Sequence, residues 1–367
     1  MMLEGTTGGI RKHVVDLLLG LQARGHALCL IYSPRRADET FRQSLPTLAA
    51  RGIELRSVEL DNALHPLEDA RGFFAAVGAI RAFRPDVAHA HGAKAGFLLR
   101  PAAWMCGVRT IVYNPHGGSF HKFSQRLGGV YLLAERLLSL FRQTYIGVSH
   151  HGRQQIIDAL RVPPEHVHLI HNGIDLAEYP RAERPAGARD DLIVLYPALF
   201  LDNKGHLEFL DAIERAPARL SRRVRIWLAG EGPLGPAIAQ RIKALRLDGS
   251  VTMLGFVTDI VSLFKQCDLV LLPSRNEVFG YVAVEALAIG RPVIATDVGG
   301  LRDIVQDGVN GRVVPLERLE QIVEILNHYA EDRAALAALA PDGRDRLAAL
   351  FGTQAMVEKT ERAYGAV

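Results

Sequence analysis

Cysteine is scarce in this chain, long apolar runs are missing, and neither sign of charge prevails. The three cysteines, Cys29, Cys106 and Cys267, are widely spaced with no Cys-x-x-Cys pair. That argues against both a disulfide framework and a zinc site, and it points to a reducing compartment. No apolar stretch approaches the roughly 18 residues of a membrane-spanning helix, and Met1-Met2-Leu3-Glu4-Gly5 does not read as a signal peptide. The expected location is cytoplasmic, at most peripheral at the inner face of the plasma membrane. A net charge of +3 is too slight to argue for nucleic acid, and zinc-finger, RRM and basic-zipper patterns are lacking.

What is present is a long alternation. The length of 367 residues suits two domains, each with its own core. Strands read at 26–32, 53–59, 87–91, 109–113, 145–149 and 167–170, and helices at 10–21, 41–51, 67–83 and 130–141, the last read as core. Only Met1–Glu4 remain for a first strand, which is either very short or clipped by a late start. A linker poor in apolar residues covers 180–191. A second alternation follows, with strands at 192–198, 225–229, 251–254, 268–272 and 292–296, and a last helix at 351–364. Alternation of this kind predicts α/β domains with parallel sheets, whose ligands gather at the carboxyl ends of the strands. The expected boundaries are 1–180, 181–345 and a terminal segment 346–367.

The most informative stretch is Asp268–Gly290, a buried strand, an exit loop and an Ala-rich helix closed by Gly290. Glu285 has apolar or aromatic neighbours at helical spacing, Tyr281, Ala288 and Ile289, so a solvated face fits poorly. A buried carboxylate needs a cation or a ligand hydroxyl to satisfy it. Glu277 lies eight residues earlier, a helical rise of roughly 12 Å. Between the two, the amides of Val278, Phe279 and Gly280 at the helix start favour phosphate. Two hydroxyl-binding acids flanking an anion site match the layout of a nucleoside diphosphate sugar.

Ser274-Arg275-Asn276-Glu277-Val278-Phe279-Gly280 followed by Glu285 resembles the signature of retaining glycosyltransferases of the GT-B fold, family four, in which two Glu are separated by seven positions. The resemblance covers nearly the whole chain. It implies two Rossmann-like parallel-sheet domains facing each other across a cleft, an N-terminal acceptor-side domain, a C-terminal donor domain, and a terminal helix packing back toward the first. It implies transfer from a nucleotide-sugar, here expected to be a UDP-sugar, to a saccharide or lipid-linked saccharide, in envelope or exopolysaccharide synthesis. Glu285 would then hold ribose hydroxyls and Glu277 the donor sugar. Gly255-Phe256 would lie by the nucleobase.

Other parts of the chain fit the same frame. Gly8 and Gly9, in a glycine loop before a helix, let the backbone approach a phosphate or sugar, although a plain tight turn is the alternative. His116, at a strand's carboxyl end before two glycines, matches the family's His-Gly position near the transferred sugar and is a plausible proton-transfer group. His89, His91 and Lys94 occupy another strand end, but two histidines on one strand are more often structural. Lys204, before a helix, suits the diphosphate of a departing nucleotide. The family places an Arg five residues before that Lys; here the position is Leu199, and a bidentate phosphate ligand is lost. Asp-x-Asp is missing at the strand ends, so Lys204, amides and glycine loops must meet the leaving-group charge, with no cofactor or divalent metal.

The region from Lys94 to Pro164 has nine bases, against Glu135 and Asp158. Within it Phe120, Phe123 and Leu127 recur at helical spacing among bases, so residues 118–142 are a candidate membrane-surface contact, with packing over the acceptor site as the alternative. Two other functions use the same residues: a sugar-nucleotide epimerase or phosphorylase of this fold, and a catalytically weak or inactive nucleotide-sugar binder, which Leu199 favours.

Overall fold

Short runs rich in Val, Ile and Leu alternate with helices twice along the chain, and each series closes its own parallel sheet. The computed structural model describes residues 1–6, 8–35, 37–61, 63, 65–117, 128–183, 190–339 and 343–365. It divides into two compact units, Met1–Gly173 with Leu350–Val367, and Ile174–Ala349.

The first unit holds β1 (Met2–Leu3), β2 (Cys29–Tyr32), β3 (Glu54–Ser57), β4 (Val87–His91), β5 (Thr110–Asn114), β6 (Thr144–Gly147) and β7 (Val167–Leu169). Their order is β3-β2-β1-β4-β5-β6-β7, all parallel. The two-residue β1 sits at the centre of this sheet, paired to β2 and β4, with Met2 and Leu3 fully buried. The helix Thr353–Gly365 belongs to this unit and packs on Gly8–Ala23, where Val357 meets Gly20.

The second unit holds β8 (Leu192–Pro197), β9 (Val224–Ala229), β10 (Val251–Gly255), β11 (Leu269–Leu272), β12 (Val293–Thr296) and β13 (Gly311–Val314). Their order is β10-β9-β8-β11-β12-β13, again parallel. Every residue of β8, β11 and β12 is buried, because helices cover both faces of such a sheet. Both sheets are doubly wound, and the order in which strands are added reverses between β1 and β4 and between β8 and β11. Ligands of such sheets bind at the carboxyl ends of those strand pairs.

Four expectations need correction. The stretch Ile174–Pro180, assigned to the first domain, is held in the second unit. There Arg344 donates to the carbonyls of Leu176 (2.6 Å) and Tyr179 (2.7 Å). The helix Gly128–Leu138 is not core. It turns Glu135 inward, to Arg100 at 2.6 Å and the Tyr113 hydroxyl at 3.1 Å. Arg100 has no exposed surface and also lies 4.0 Å over the Tyr113 ring, so its charge fixes which face of the helix is buried. Val130, Leu133 and Leu137 face outward in consequence, with Leu140 just beyond, all at least 57% exposed. Gly8 and Gly9 open the first helix instead of preceding it. Finally, helical geometry begins only at Tyr281, so a rise of about 12 Å does not describe the path from Glu277 to Glu285. Of the proposed membrane segment, residues 118–127 lie outside the described residues.

Candidate active site

In the second unit the reversal between β8 and β11 brings two exit loops together. Leu201–Gly205 follows β8, and Pro273–Gly280 follows β11. Lys204 Nζ donates to Glu277 Oε2 at 2.6 Å, each side chain about one-fifth exposed. The loops are clipped at their backbones as well, since Arg275 and Asn276 both donate to the Asn203 carbonyl, at 2.9 and 3.3 Å. The Arg275 guanidinium bridges Asp202 (3.0 Å) and Glu208 (2.9 Å). Gly205 has φ +78°, and a Cβ there would lie 2.1 Å from the Pro273 carbonyl, so only glycine lets the loops approach this closely.

A third loop, from β12, supports the second. Gly300 N–H donates to the Glu277 carbonyl at 2.9 Å. Gly299 has φ +49°, and a Cβ on it would fall 1.7 Å from that same oxygen. Asp297-Val298-Gly299-Gly300 is therefore the cradle on which Glu277 rests.

The peptide groups of Val278, Phe279 and Gly280 form the turn into the helix, with Gly280 left-handed at φ +106°. The Val278 and Gly280 amides donate to no acceptor among the described residues. Beyond the turn, Glu285 is half-buried and its Oε1 accepts from the Tyr179 hydroxyl at 2.9 Å. Tyr179 is itself buried and was not anticipated. Its backbone is fixed by the Arg344 contact, so this hydroxyl orients the carboxylate. Gly255 ends β10 with open space beside it, and Phe256 follows it 65% exposed. Leu199, 52% exposed, stands just past β8.

The remaining candidates lie in the first unit. Gly8 and Gly9 are exposed at the start of their helix. His116 is buried just past β5, in the left-handed region at φ +50°, an unusual conformation for a side chain of this kind. Its backbone N–H donates to Asn114 Oδ1 at 3.2 Å, and its Nε2 shares a proton with His91 Nδ1 at 3.1 Å. His89 Nδ1 lies 2.8 Å from the Tyr364 hydroxyl, and Lys94 is paired with Asp69 at 2.6 Å. His13, one turn into the first helix, completes a group of buried imidazoles and was also not anticipated. Burial holds His89, His91 and His116 well below the ordinary histidine range, and neighbouring imidazoles add to the effect. Burial takes His13 down to about 4, partly offset by the nearby Asn172. His116 is thus a neutral imidazole at neutral pH, able to accept a proton. The structure joins Lys204 to Glu277 and His116 to His91, and it places Glu285 on Tyr179.

Residues 181–346 match the model of "Glycosyl transferases group 1", and residues 7–178 that of "Glycosyltransferase Family 4". A D-inositol 3-phosphate glycosyltransferase of Mycolicibacterium gilvum is 32% identical over 335 residues, 84% of this chain and 74% of that protein. The protein of the same name from Mycobacterium tuberculosis is 33% identical over 189 residues, 48% of this chain but only 38% of its own length. Among solved structures, HepE of Anabaena in complex with UDP and glucose superposes with a TM-score of 0.78 at 23% identity, covering 100% of this chain and 98% of that one. The same protein with UDP-glucose gives 0.77 at 24%, covering 100% and 99%.

Proposed function

The chain belongs to glycosyltransferase family 4, and from that membership we propose that it moves a sugar from a UDP-sugar to a saccharide or lipid-linked saccharide, retaining the anomeric configuration, in envelope or exopolysaccharide assembly. The observation that carries this reading is the Lys204–Glu277 pair at 2.6 Å on the loops where the second sheet reverses. The solved complexes of HepE with UDP and with UDP-glucose support the choice of base.

In this reading Glu285, oriented by Tyr179, holds the ribose hydroxyls, and Gly255-Phe256 flank the base. The diphosphate rests on the Val278–Gly280 turn and draws Lys204 away from Glu277, which then accepts from the donor sugar's hydroxyls. The bond from the anomeric carbon to the phosphate oxygen breaks. The acceptor oxygen bonds to that carbon on the same face, and its proton passes to the departing phosphate. Lys204 and the turn amides offset the charge that develops there, so the step runs without a divalent metal. By the family resemblance Gly8 and Gly9 are assigned to the donor, and neutral His116 to a hydrogen bond from the reacting sugar or acceptor. Among the described residues no helix is long and apolar enough to cross a membrane. The outward stripe Val130, Leu133, Leu137 and Leu140 supports peripheral contact with a lipid surface.

A thermal-shift panel of UDP-, GDP- and ADP-sugars tests the donor assignment. At about a hundred times its dissociation constant a ligand adds about 2.7 kcal/mol of stability. UDP-sugars are expected to raise the melting point, and Glu285→Ala to abolish that rise while leaving the unliganded melting point nearly unchanged. A rise retained in Glu285→Ala would remove the ribose assignment. Free UDP released only when acceptor is added distinguishes a transferase from an epimerase, and slow donor hydrolysis by the chain alone counts against an inactive binder. D-inositol 3-phosphate, named in the relatives, belongs among the acceptors tried.

A further inference from the structure

His13, His91 and His116 come from a helix, a strand end and an exit loop, and one ring nitrogen of each lies within 4.8 Å of the other two. All three side chains are at least nine-tenths buried. The His91 Nδ1 to His116 Nε2 separation of 3.1 Å is close to the edge of a tetrahedron drawn with metal–nitrogen bonds of about 2.0–2.1 Å, roughly 3.4 Å. The three rings are disposed around a common point, with centroids 4.8 to 5.4 Å apart.

These buried nitrogens are also poorly used by the protein. Neither ring nitrogen of His13 has a hydrogen-bond partner within ordinary geometric limits among the described residues, Asn172 being its one close polar neighbour. A fully buried ring with neither nitrogen satisfied is costly unless something occupies the space beside it. Burial keeps these imidazoles neutral, the state in which they bind metal. Three neutral nitrogen donors select ions of the zinc, cobalt, nickel and copper class over magnesium or calcium, which prefer oxygen.

We propose that His13, His91 and His116 together bind one transition-metal ion of the zinc class, and that its capture withdraws His116 from the transfer reaction. The metal is inhibitory, since it occupies the imidazole assigned to the reacting sugar or acceptor. This second half rests on the role given to His116 above; the binding site itself does not. The fourth coordination position is left for water on the side of His116, the least buried of the three.

The test uses the whole chain, freed of metal with a chelator and titrated first with Co²⁺ and then with Zn²⁺. One Co²⁺ per chain is expected, with the intense visible absorption of a four-coordinate nitrogen site, bleached by stoichiometric Zn²⁺. His13→Gln and His116→Ala should each weaken binding by about tenfold or more, their folding checked by the far-ultraviolet circular dichroism of the metal-free chain. His116→Ala, at the open end of the cluster, serves if His13→Gln does not fold. Absence of stoichiometric Co²⁺ binding, or unchanged affinity in folded variants, overturns the site. Transferase activity is then assayed with and without Zn²⁺ at saturating donor. Loss of activity at one equivalent supports the inhibitory role. Full activity of the Zn²⁺-loaded chain overturns that half while the spectrum still reports the site.

Discussion

At the scale of single residues, Leu199 is a position where this chain departs from the pattern of the family it resembles. The side chain is apolar yet 52% exposed, at the end of β8 and five positions before Lys204. A guanidinium there would have room to extend and would supply two parallel donors to a phosphate, which an ammonium cannot. Leu199→Arg is expected to tighten UDP binding by about tenfold, taking a charge-assisted hydrogen bond as about 1.5–3 kcal/mol less the cost of ordering the side chain. Calorimetric titration with UDP checks this, and an unchanged or weaker affinity would show that this chain meets the phosphate charge by another route. Tyr179 illustrates the opposite case, a residue of the candidate site with no signal of its own. The sequence supplied a Glu in need of a partner, but a tyrosine 106 positions earlier could be matched to it only by folding.

Two elements carry the next level of argument. The loop Asp297–Gly300 has no chemistry of its own, yet it fixes the backbone from which Glu277 projects. Gly299→Ala combines a left-handed φ of +49° with a Cβ that would fall 1.7 Å from the Glu277 carbonyl. We expect a loss of at least 1–3 kcal/mol, read from the urea midpoint, together with loss of the UDP-dependent thermal shift. A variant that keeps the shift would show that the cradle is not needed to hold Glu277. The helix Gly128–Leu138 is the second element. Its leucines read as core because periodicity reports an apolar face but not which neighbour it meets; the buried Arg100–Glu135 pair decided the rotation. Leu133→Asp with Leu137→Asp should abolish co-sedimentation with anionic vesicles and leave the UDP shift intact. Sedimentation equal to that of the unmodified chain would argue against lipid contact at this face.

For the whole molecule the buried histidines tie stability to pH. His13 has a folded value of about 4 against an ordinary 6.5. Its folded-state value is depressed, so the unfolded chain binds the proton more readily. The stability is fully present above about pH 6.5 and is lost as pH falls from there toward 4. Between pH 7 and pH 5 the loss from His13 alone is about 2 kcal/mol, and His89, His91 and His116 act in the same direction. Urea midpoints across that range should fall with acidity and fall less steeply in His13→Gln. A flat profile would mean that these rings are hydrated or already paired in solution.

Most of the architecture was legible in the chain. A fully buried parallel strand must be continuously apolar, and eleven of the thirteen strands read as such between glycine or proline breaks; β1 reads as a very short or clipped first strand, and one does not read at all. That one, β13 (Gly311–Val314), is four residues with an Arg among them, and it exists because β12 offers it a ladder. The sequence by itself determined the two doubly wound sheets and the acids, lysine and glycines of the candidate site, because those depend on local pattern and spacing. Only the tertiary structure decided which groups meet: Lys204 with Glu277, Tyr179 with Glu285, and His13 with His91 and His116. Such contacts join residues 25 to 106 positions apart, and no local periodicity encodes a distance across a fold.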